Sequence, residues 1–344
     1  MKALIFKLIL ALVFIPQILS CQTEKKTTLY VASFNVENLF DAVDDPEKDD
    51  AEFLPESEKF WTDGKINVKL NNLAKVINYM NNGVGPDVLA IQEVENFNMM
   101  KLLCYALKDR EYIPAHRESK DPRGIDVGLL YDRKLFEIED LKAIEIVLPN
   151  GFPTRDILHV TLKHKTSGEV FHFFVNHWPS RRGGKEKSDI NRQAAAKILK
   201  SLLNELSDKT PEANVIILGD FNDSPFDPSI SKVLSALDFE CQPNLVKKEL
   251  LNLAYKKADQ KDGSYLFARN WEMIDQIIAS PNFIDAKRWE YECNSYEIIK
   301  PEFMIIPSGD RKGGALPTYM GTKYIGGFSD HFPVGARFYY KDEN

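Results

Sequence analysis

The chain has 344 residues, of which 44% are hydrophobic and 11% aromatic, a composition sufficient to fill a packed core. This composition excludes intrinsic disorder, and the length fits one large domain or two small ones. The formal net charge of −7 disfavours tight, non-specific binding to nucleic acid, because such binding depends on neutralising phosphates with Lys and Arg.

The first twenty residues have the pattern of an export signal, with Lys2 and Lys7 before an apolar stretch that leads to Ile18-Leu19-Ser20-Cys21. An aliphatic residue three positions before Cys, with a small residue directly before it, resembles the lipobox of bacterial lipoproteins. An ordinary signal peptide or a short membrane anchor is the alternative, although the apolar run is short for a spanning helix. We expect a signal peptide at residues 1–20, a lipidated Cys21 as the first residue of the mature chain, a tether at residues 22–28 and one folded domain at residues 29–344. Without its first twenty residues the chain loses two lysines and no acid, so its net charge changes from −7 to −9.

The periodicity of the apolar residues predicts strands mixed with helices. In the first half we expect a strand at Leu29–Val36, an acidic loop at 38–63, a helix at Ile66–Met80, a strand at 87–93 that ends at Glu93, and a second helix at Met99–Leu107. In the second half we expect three strands and a helix: Val127–Tyr131, Ile157–Leu162, Val170–Asn176 and Asn191–Leu206. A turn at Thr166-Ser167-Gly168 makes neighbours of the last two strands, which favours a mixed sheet over a purely parallel one. No linker or repeat divides the sequence, so a single domain is expected.

After Cys21, the cysteines are Cys104, Cys241 and Cys293. An odd, widely spaced set is not a disulfide framework, and no Cys-x-x-Cys spacing indicates zinc. One disulfide is compatible with this set, but three buried thiols are the favoured prediction.

Polar side chains follow several of the apolar, strand-like runs. Ile91-Gln92-Glu93-Val94, Gly219-Asp220-Phe221-Asn222-Asp223 and Ser329-Asp330-His331 each place such groups at a predicted strand end. Groups at strand ends can converge on one edge of a sheet, and hard oxygen ligands suit Mg²⁺, Mn²⁺ or Ca²⁺. With Asn35, His177 and Asp275 these residues supply the parts for metal-assisted attack of water on a phosphate ester.

Six segments carry a resemblance to a known family, in the family's order. They are Ser33-Phe34-Asn35-Val36, Ile91-Gln92-Glu93, Asn176-His177-Trp178-Pro179-Ser180, Gly219-Asp220-Phe221-Asn222, Asp275-Gln276-Ile277-Ile278 and Ser329-Asp330-His331. From about Leu29 to Phe338 the chain resembles the endonuclease/exonuclease/phosphatase superfamily, whose fold is that of deoxyribonuclease I. The resemblance implies an α/β (α+β) four-layer sandwich of two stacked mixed β-sheets flanked by helices.

The resemblance also implies a role for each residue. The metal, Mg²⁺ with Mn²⁺ or Ca²⁺ as alternatives, would be held by Asn35, Glu93 and Asp330. The catalytic residues would be His177, Asp220, Asn222, Asp275 and His331. Asp220 would act as the base or the orienter for the attacking water, and Asn222 and His177 would contact the phosphate. The imidazole of His331 would face the phosphate and accept support from Asp275. Ordinary structural roles are the alternative, among them an Asx-type turn at Asp220 and Asn222.

Basic residues follow His177 in a glycine-containing segment, and we expect a loop that carries Arg181, Arg182, Lys185 and Lys187. Arg181 and Arg182 are the predicted substrate-binding residues, although most basic clusters are merely solvated. The expected function is an extracytoplasmic, metal-dependent endonuclease that cleaves DNA or RNA. The alternative is a phosphatase or sphingomyelinase-type phosphodiesterase that acts on a small substrate, favoured by the acidic charge. We expect a monomer, attached to a bacterial membrane through Cys21 or else secreted.

Overall fold

The computed structural model describes residues 27–107, 109–242, 249–285 and 287–341. The predicted signal peptide, Cys21 and most of the tether lie outside these residues. Among the described residues, no helix is long and apolar enough to cross a bilayer.

The described residues form two large mixed β-sheets and four α-helices. The helices are α1 (Asp63–Gly83), α2 (Phe97–Ala106), α3 (Lys185–Lys209) and α4 (Tyr255–Asp259). The strands of the first half are β1 (Thr28–Leu39), β2 (Val88–Val94), β3 (Tyr112–His116), β4 (Asp126–Asp132), β5 (Phe136–Ile144), β6 (Ile157–His164) and β7 (Val170–His177). Those of the middle are β8 (Asn214–Asp220), β9 (Ala236–Leu237), β10 (Leu250–Asn252), β11 (Tyr265–Phe267), β12 (Asn270–Glu272) and β13 (Asp275–Ala279). The last are β14 (Trp289–Tyr291), β15 (Glu297–Ile298), β16 (Tyr319–Met320), β17 (Lys323–Tyr324) and β18 (Val334–Tyr340).

The first sheet has the strand order β14-β18-β1-β2-β4-β3, with β15 also paired to β18, and the second has the order β5-β6-β7-β8-β13-β10-β9. Both are mixed, because β1 pairs with β2 and β7 with β8 in parallel while most other pairs are antiparallel. The mixed sheet that the Thr166-Ser167-Gly168 turn predicts is therefore present.

Alternation along the strands explains why the sheets stack. On β1, Leu29 and Val31 face a core shared with Phe173 and Leu218 of the second sheet. The intervening Tyr30, Ala32 and Phe34 face a second apolar cluster, built with α1 and α2. Because strand side chains point to alternate faces, β1 is apolar on both sides and needs cover on both. A third cluster joins α3 to the other face of the second sheet. The predicted four-layer sandwich is thus confirmed.

Helix α3 corrects one prediction. Asn191–Leu206 is helical as expected, but the helix begins at Lys185, so Lys185 and Lys187 lie in its first turn and not in a loop. The buried Arg192 explains the early start, since its guanidinium donates to the Lys185 carbonyl (3.0 Å) and to the Ser188 hydroxyl (2.7 Å). These bonds tie the first turn to the helix body.

The cysteines correct a second prediction. Cys241 and Cys293 form a disulfide with a Cα–Cα distance of 6.1 Å, and Cys104 is a partly buried free thiol. The two bonded residues are 52 positions apart. Spacing alone gave no sign of the pairing, because it depends on where β9 and β14 leave their two different sheets.

Replacing the disulfide by Cys241→Ser with Cys293→Ser is expected to lower the free energy of unfolding by about 2–4 kcal/mol, because a cross-link between distant residues restricts the unfolded chain. Urea unfolding of the oxidised wild type and of the variant measures the difference. Cys104→Ser is the matched control and should change stability far less. Equal midpoints for the wild type and the double variant would show that the cross-link does not stabilise the fold.

Candidate active site

Glu93 lies where β2 is interrupted by a bulge. Its backbone is left-handed, with φ of 64°, and the register between β2 and β4 shifts between Gln92 and Val94. A left-handed conformation is rare for a residue with a long side chain and is found where a side chain is aimed for function. The half-buried carboxylate accepts hydrogen bonds from Asn38 N (3.0 Å) and Asn35 Nδ2 (3.3 Å).

The second sheet brings three more predicted residues to the same edge. His177 ends β7 opposite Asp220, which ends β8, and Asp220 lies opposite Asp275, which begins β13. Gly219 permits this close approach: its φ is 140°, and an added Cβ would lie 1.9 Å from the carbonyl oxygen of Asn176. A side chain at Gly219 would push apart the two strands that carry His177 and Asp220.

Asn35 joins the two sheets at this edge. Its Nδ2 donates to Asp220 Oδ2 at 3.1 Å as well as to Glu93. Its Oδ1 accepts from the backbone N–H of Glu37 at 3.0 Å. Asn35 therefore presents its NH₂ group to the carboxylates and its oxygen to the backbone. The predicted role as a metal ligand requires the amide to turn, and in the present arrangement Asn35 orients the two acids.

The predicted pair of Asp275 and His331 is present. His331 Nδ1 lies 2.8 Å from Asp275 Oδ2, which also accepts a 2.6 Å hydrogen bond from the Ser264 hydroxyl. His331 Nε2 is left facing the centre of the site, 4.0 Å from both Asp220 Oδ2 and Asp330 Oδ1. The ring of Tyr265 stacks on the imidazole with centroids 4.7 Å apart, which fixes its plane.

The two histidines are in opposite electrostatic environments. Burial alone would lower the pKa of His331, but Asp275, Asp330 and Asp220 raise it well above its ordinary value. Burial also lowers the pKa of His177, and nearby positive charges lower it further, to well below its ordinary value. His331 is therefore a cation near neutral pH and His177 is neutral. His177 Nε2 lies 3.7 Å from Asp220 Oδ2 and 3.9 Å from Glu93 Oε1.

The donor set fits a divalent cation. Burial and the charge of Asp275 raise the pKa of Asp220 to about 7. Desolvation raises the pKa of Asp330 to about 6, with the charges of Glu37 and Glu93 adding to it and that of His331 opposing it. Carboxylates that raise one another's pKa in this way form a site with surplus negative charge, which hard oxygen-preferring cations stabilise. Glu93 and the partly exposed Asp330 are the acids best placed to hold such an ion.

Asn222 takes a structural position. Its backbone is left-handed (φ 51°), its N–H donates to Asp220 Oδ1 at 2.8 Å, and its Nδ2 donates to the Trp178 carbonyl at 3.1 Å. These are the bonds of the Asx-type turn that the sequence offered as the alternative. Asn222 thereby fixes the orientation of Asp220, and its predicted contact with the phosphate stays a prediction.

The two predicted substrate-binding arginines differ. Arg181 is enclosed by acceptors: it bonds the carbonyl of Asn222 (2.6 Å) and pairs with Glu272 and Asp227. Arg182 is exposed. Satisfied charges have little left to offer a ligand, so of the pair Arg182 is the residue free to meet a substrate phosphate.

Lys69 is a supporting residue that sequence reasoning missed. It is buried on α1, and its Nζ donates to the Thr318 hydroxyl (2.6 Å), the Phe328 carbonyl (2.7 Å) and Glu37 Oε2 (3.3 Å). These bonds hold the chain that leads into Asp330. One signal was present in the sequence: Lys69 occupies the apolar face of α1, where a lysine needs buried acceptors.

Asp275→Asn is expected to lower kcat at neutral pH by about tenfold to a thousandfold and to move the alkaline limb of the pH profile to lower pH. The sign follows from His331: without the carboxylate its pKa falls, so the protonated form is lost at a lower pH. Rates measured from pH 5 to 10 show the shift. Ser264→Ala is the matched control, because it removes a hydrogen bond to the same oxygen and keeps the charge, so its alkaline limb should move far less. An alkaline limb that is unchanged in Asp275→Asn would show that Asp275 does not hold His331 in its protonated form.

Comparisons with known proteins bear on the family and the fold of this chain. A sequence model of the endonuclease/exonuclease/phosphatase family matches residues 30–339. No curated protein sequence gives a significant match.

Solved structures match over nearly the whole chain. An endonuclease/exonuclease/phosphatase family protein from Bacteroides thetaiotaomicron is 18% identical with a TM-score of 0.56, and the match covers 92% of this chain and 100% of that one. A mannosyl-6-phosphatase from the same species is 18% identical with a TM-score of 0.56, over 90% of this chain and 99% of that one. The catalytic domain of human nocturnin, with a bound sulfate anion, is 18% identical with a TM-score of 0.54, over 91% and 95%. At this identity the likeness to these structures is one of fold.

Proposed function

The chain belongs to the endonuclease/exonuclease/phosphatase family, whose members hydrolyse phosphoester bonds and generally use a divalent metal, and from that premise we propose that it is a metal-dependent phosphoesterase for a small phosphorylated substrate. The observation that carries the proposal is the convergence of Glu93, Asp220 and the Asp275–His331 pair on one edge of the stacked sheets.

The chain's own groups divide the reaction between them. Asp220, oriented by Asn35 and Asn222, accepts a proton from the attacking water, and a pKa of about 7 suits that task near neutral pH. The cationic His331, held by Asp275, stabilises negative charge that develops on the phosphoryl oxygens. A divalent ion held by Glu93 and Asp330, when bound, supplies a Lewis acid for the same phosphoryl group.

Electrostatics support a small substrate over a polymer. Half of the basic cluster beside His177 is neutralised, since Arg181 pairs with Glu272 and Asp227 and Lys185 also pairs with Asp227. The whole chain is acidic, with a net charge of −7. Long-range attraction of a nucleic-acid backbone needs uncompensated Lys and Arg. The similar fold of a mannosyl-6-phosphatase shows that this architecture serves a small phosphate ester in another protein.

A nuclease is the second candidate. Arg182 and Lys187 remain exposed beside the site, next to the strand end that carries His177. Two positive side chains at this position could contact phosphates that flank a scissile bond in a chain. The choice between the candidates therefore depends on what these two residues do.

The expected outcome with Mg²⁺ is that a sugar phosphate or bis(p-nitrophenyl) phosphate is hydrolysed with a kcat/KM at least about tenfold above that for plasmid DNA or RNA. Chelator should abolish the activity, and Asp330→Asn should lower it at least about a hundredfold while leaving the melting temperature near that of the wild type. Arg182→Ala with Lys187→Ala is the matched surface control and should leave the small-ester rate unchanged.

A different result would favour the nuclease. In that result DNA or RNA would be cleaved faster than the small esters, and cleavage would depend steeply on salt. The slope of log affinity against log salt concentration would decrease by about one for each of Arg182 and Lys187 that is neutralised. Full activity of Asp330→Asn at limiting Mg²⁺ would instead contradict the assignment of the metal site.

We further propose that the protein acts outside the cytoplasm as a lipoprotein anchored at Cys21. The Ile18-Leu19-Ser20-Cys21 pattern supports this location, and so does the Cys241–Cys293 disulfide, because such bonds persist in oxidising compartments. Detergent phase partitioning of the wild type should recover it in the detergent phase, and Cys21→Ser should move it to the aqueous phase. Recovery of both proteins in the aqueous phase would leave a plain signal peptide.

A further inference from the structure

A second group of metal-ligating side chains lies outside the catalytic residues. It consists of His116 at the end of β3, Glu118 in the following loop and Asp126 at the start of β4. One ligand atom of each lies within 4.8 Å of the others. His116 Nε2 is 3.3 Å from Asp126 Oδ2, and His116 Nδ1 is 4.0 Å from Glu118 Oε1. We propose that His116, Glu118 and Asp126 bind a zinc ion.

Buried atoms without hydrogen bonds support the proposal. Among the described residues neither His116 Nε2 nor Asp126 Oδ2 has a hydrogen-bond partner, although the two residues are only 6% and 2% exposed. The other carboxylate oxygen, Asp126 Oδ1, accepts from Ser119 N at 2.9 Å, which leaves Oδ2 turned toward the imidazole. A buried polar atom that makes no hydrogen bond is costly, and the 3.3 Å contact between these two atoms lacks hydrogen-bond geometry, so a cation beside them would satisfy both.

The spacing and the donor types fit zinc. Zn²⁺ binds imidazole nitrogen at about 2.0–2.1 Å and carboxylate oxygen at about 2.0–2.2 Å, so tetrahedral ligands lie about 3.4 Å apart. The observed nitrogen-to-oxygen separation is 3.3 Å. One nitrogen and two oxygens suit a borderline ion, whereas Mg²⁺ and Ca²⁺ prefer oxygen alone. The side chain of Glu118 is 59% exposed, so its carboxylate can rotate toward the ion from the solvent side and complete the set of three ligands.

The surroundings give a cation access. Glu118 lines a cavity of about 260 Å³ together with Glu95 and the acidic residues Asp41, Asp44 and Asp45. Lys48, which lines the same cavity, is engaged by the carbonyls of Ser119 and Asp121 at 3.0 and 3.1 Å. The acidic loop after β1 therefore concentrates positive ions next to the only exposed ligand of the three.

The position links the ion to the catalytic edge. Asp126 lies opposite Val94 in the pairing of β4 with β2, one residue beyond Glu93. The loop between His116 and Asp126 carries Arg123, whose Nη2 donates to Asn38 Oδ1 at 2.7 Å. Asn38 in turn donates its N–H to Glu93. Zinc held by both ends of this loop would fix Arg123, and through Asn38 it would stabilise the position of Glu93.

Zinc binding to the chelator-treated full chain tests the proposal in a Glu93→Gln, Asp330→Asn background, which disables the catalytic metal site. We expect one Zn²⁺ per chain by elemental analysis, and a rise in melting temperature on adding Zn²⁺. Adding Glu118→Gln should raise the Kd for Zn²⁺ by at least about tenfold. Even residues that only hydrogen-bond to a metal ligand change metal affinity about 10–100-fold, and Glu118 is proposed as a ligand itself. Glu145→Gln, an exposed acid that pairs with Lys120, is the matched control and should leave the Kd unchanged.

Asp126→Asn should abolish binding, with circular dichroism to confirm that the variant folds. Because Glu118 is exposed, Glu118→Gln keeps the test decisive even if Asp126→Asn does not fold. Zinc uptake that is absent from the background protein, or that is the same with and without Glu118→Gln, would overturn the proposal. His116 and Asp126 would then be a structural ion pair.

Discussion

Burial of negative charge where the two sheets end is the constraint on which the candidate active site depends. Glu93, Asp220 and Asp275 each close or open a strand there, and the packing of the sheets keeps water away from the latter two. Each carboxylate must be matched by hydrogen bonds or by a cation, because an unpaired buried charge is far more costly than any single contact is favourable. Asn35 meets part of that need by donating to acids from both sheets. The same crowding of carboxylates raises the pKa of His331, and it is the environment in which a divalent ion would be stabilised.

Away from the centre, buried cations hold the segments that carry the acids. Lys69 binds the carbonyl of Phe328 from α1 and so steadies the approach to Asp330. Arg192 of α3 pairs with Asp223, directly after the turn that orients Asp220. Neither cation faces the substrate. Each connects a helix of the outer layers to a loop at the sheet edge, which makes the four-layer packing part of the catalytic geometry and not only its support.

The sequence predicted what local pattern determines. Strand ends within one residue of Glu93, His177 and Asp220 follow from apolar runs that stop at a polar residue, and the resemblance carried by the six motifs implied the sandwich. What it could not predict depends on pairs of residues that are far apart along the chain. Arg181 meets Glu272 at a separation of 91 positions, and Cys241 meets Cys293 at 52. No periodicity encodes such a meeting, so two of the four residues in the basic cluster are paired, and two of the three expected thiols are bonded to each other.

The two active-site histidines show why residue identity alone leaves chemistry undetermined. His177 and His331 are both buried, and burial lowers the pKa of both. His331 has Asp275 at 2.8 Å and is held as a cation. Among the described residues the nearest acid to His177 is Asp220 at 3.7 Å, and positive charges nearby keep His177 neutral. The sign of the charges around each ring therefore separates a group that can donate a proton or stabilise an anion from one that offers a neutral ring. The β13 register, which sets Asp275 opposite Asp220 and within reach of His331, is what assigns the two roles.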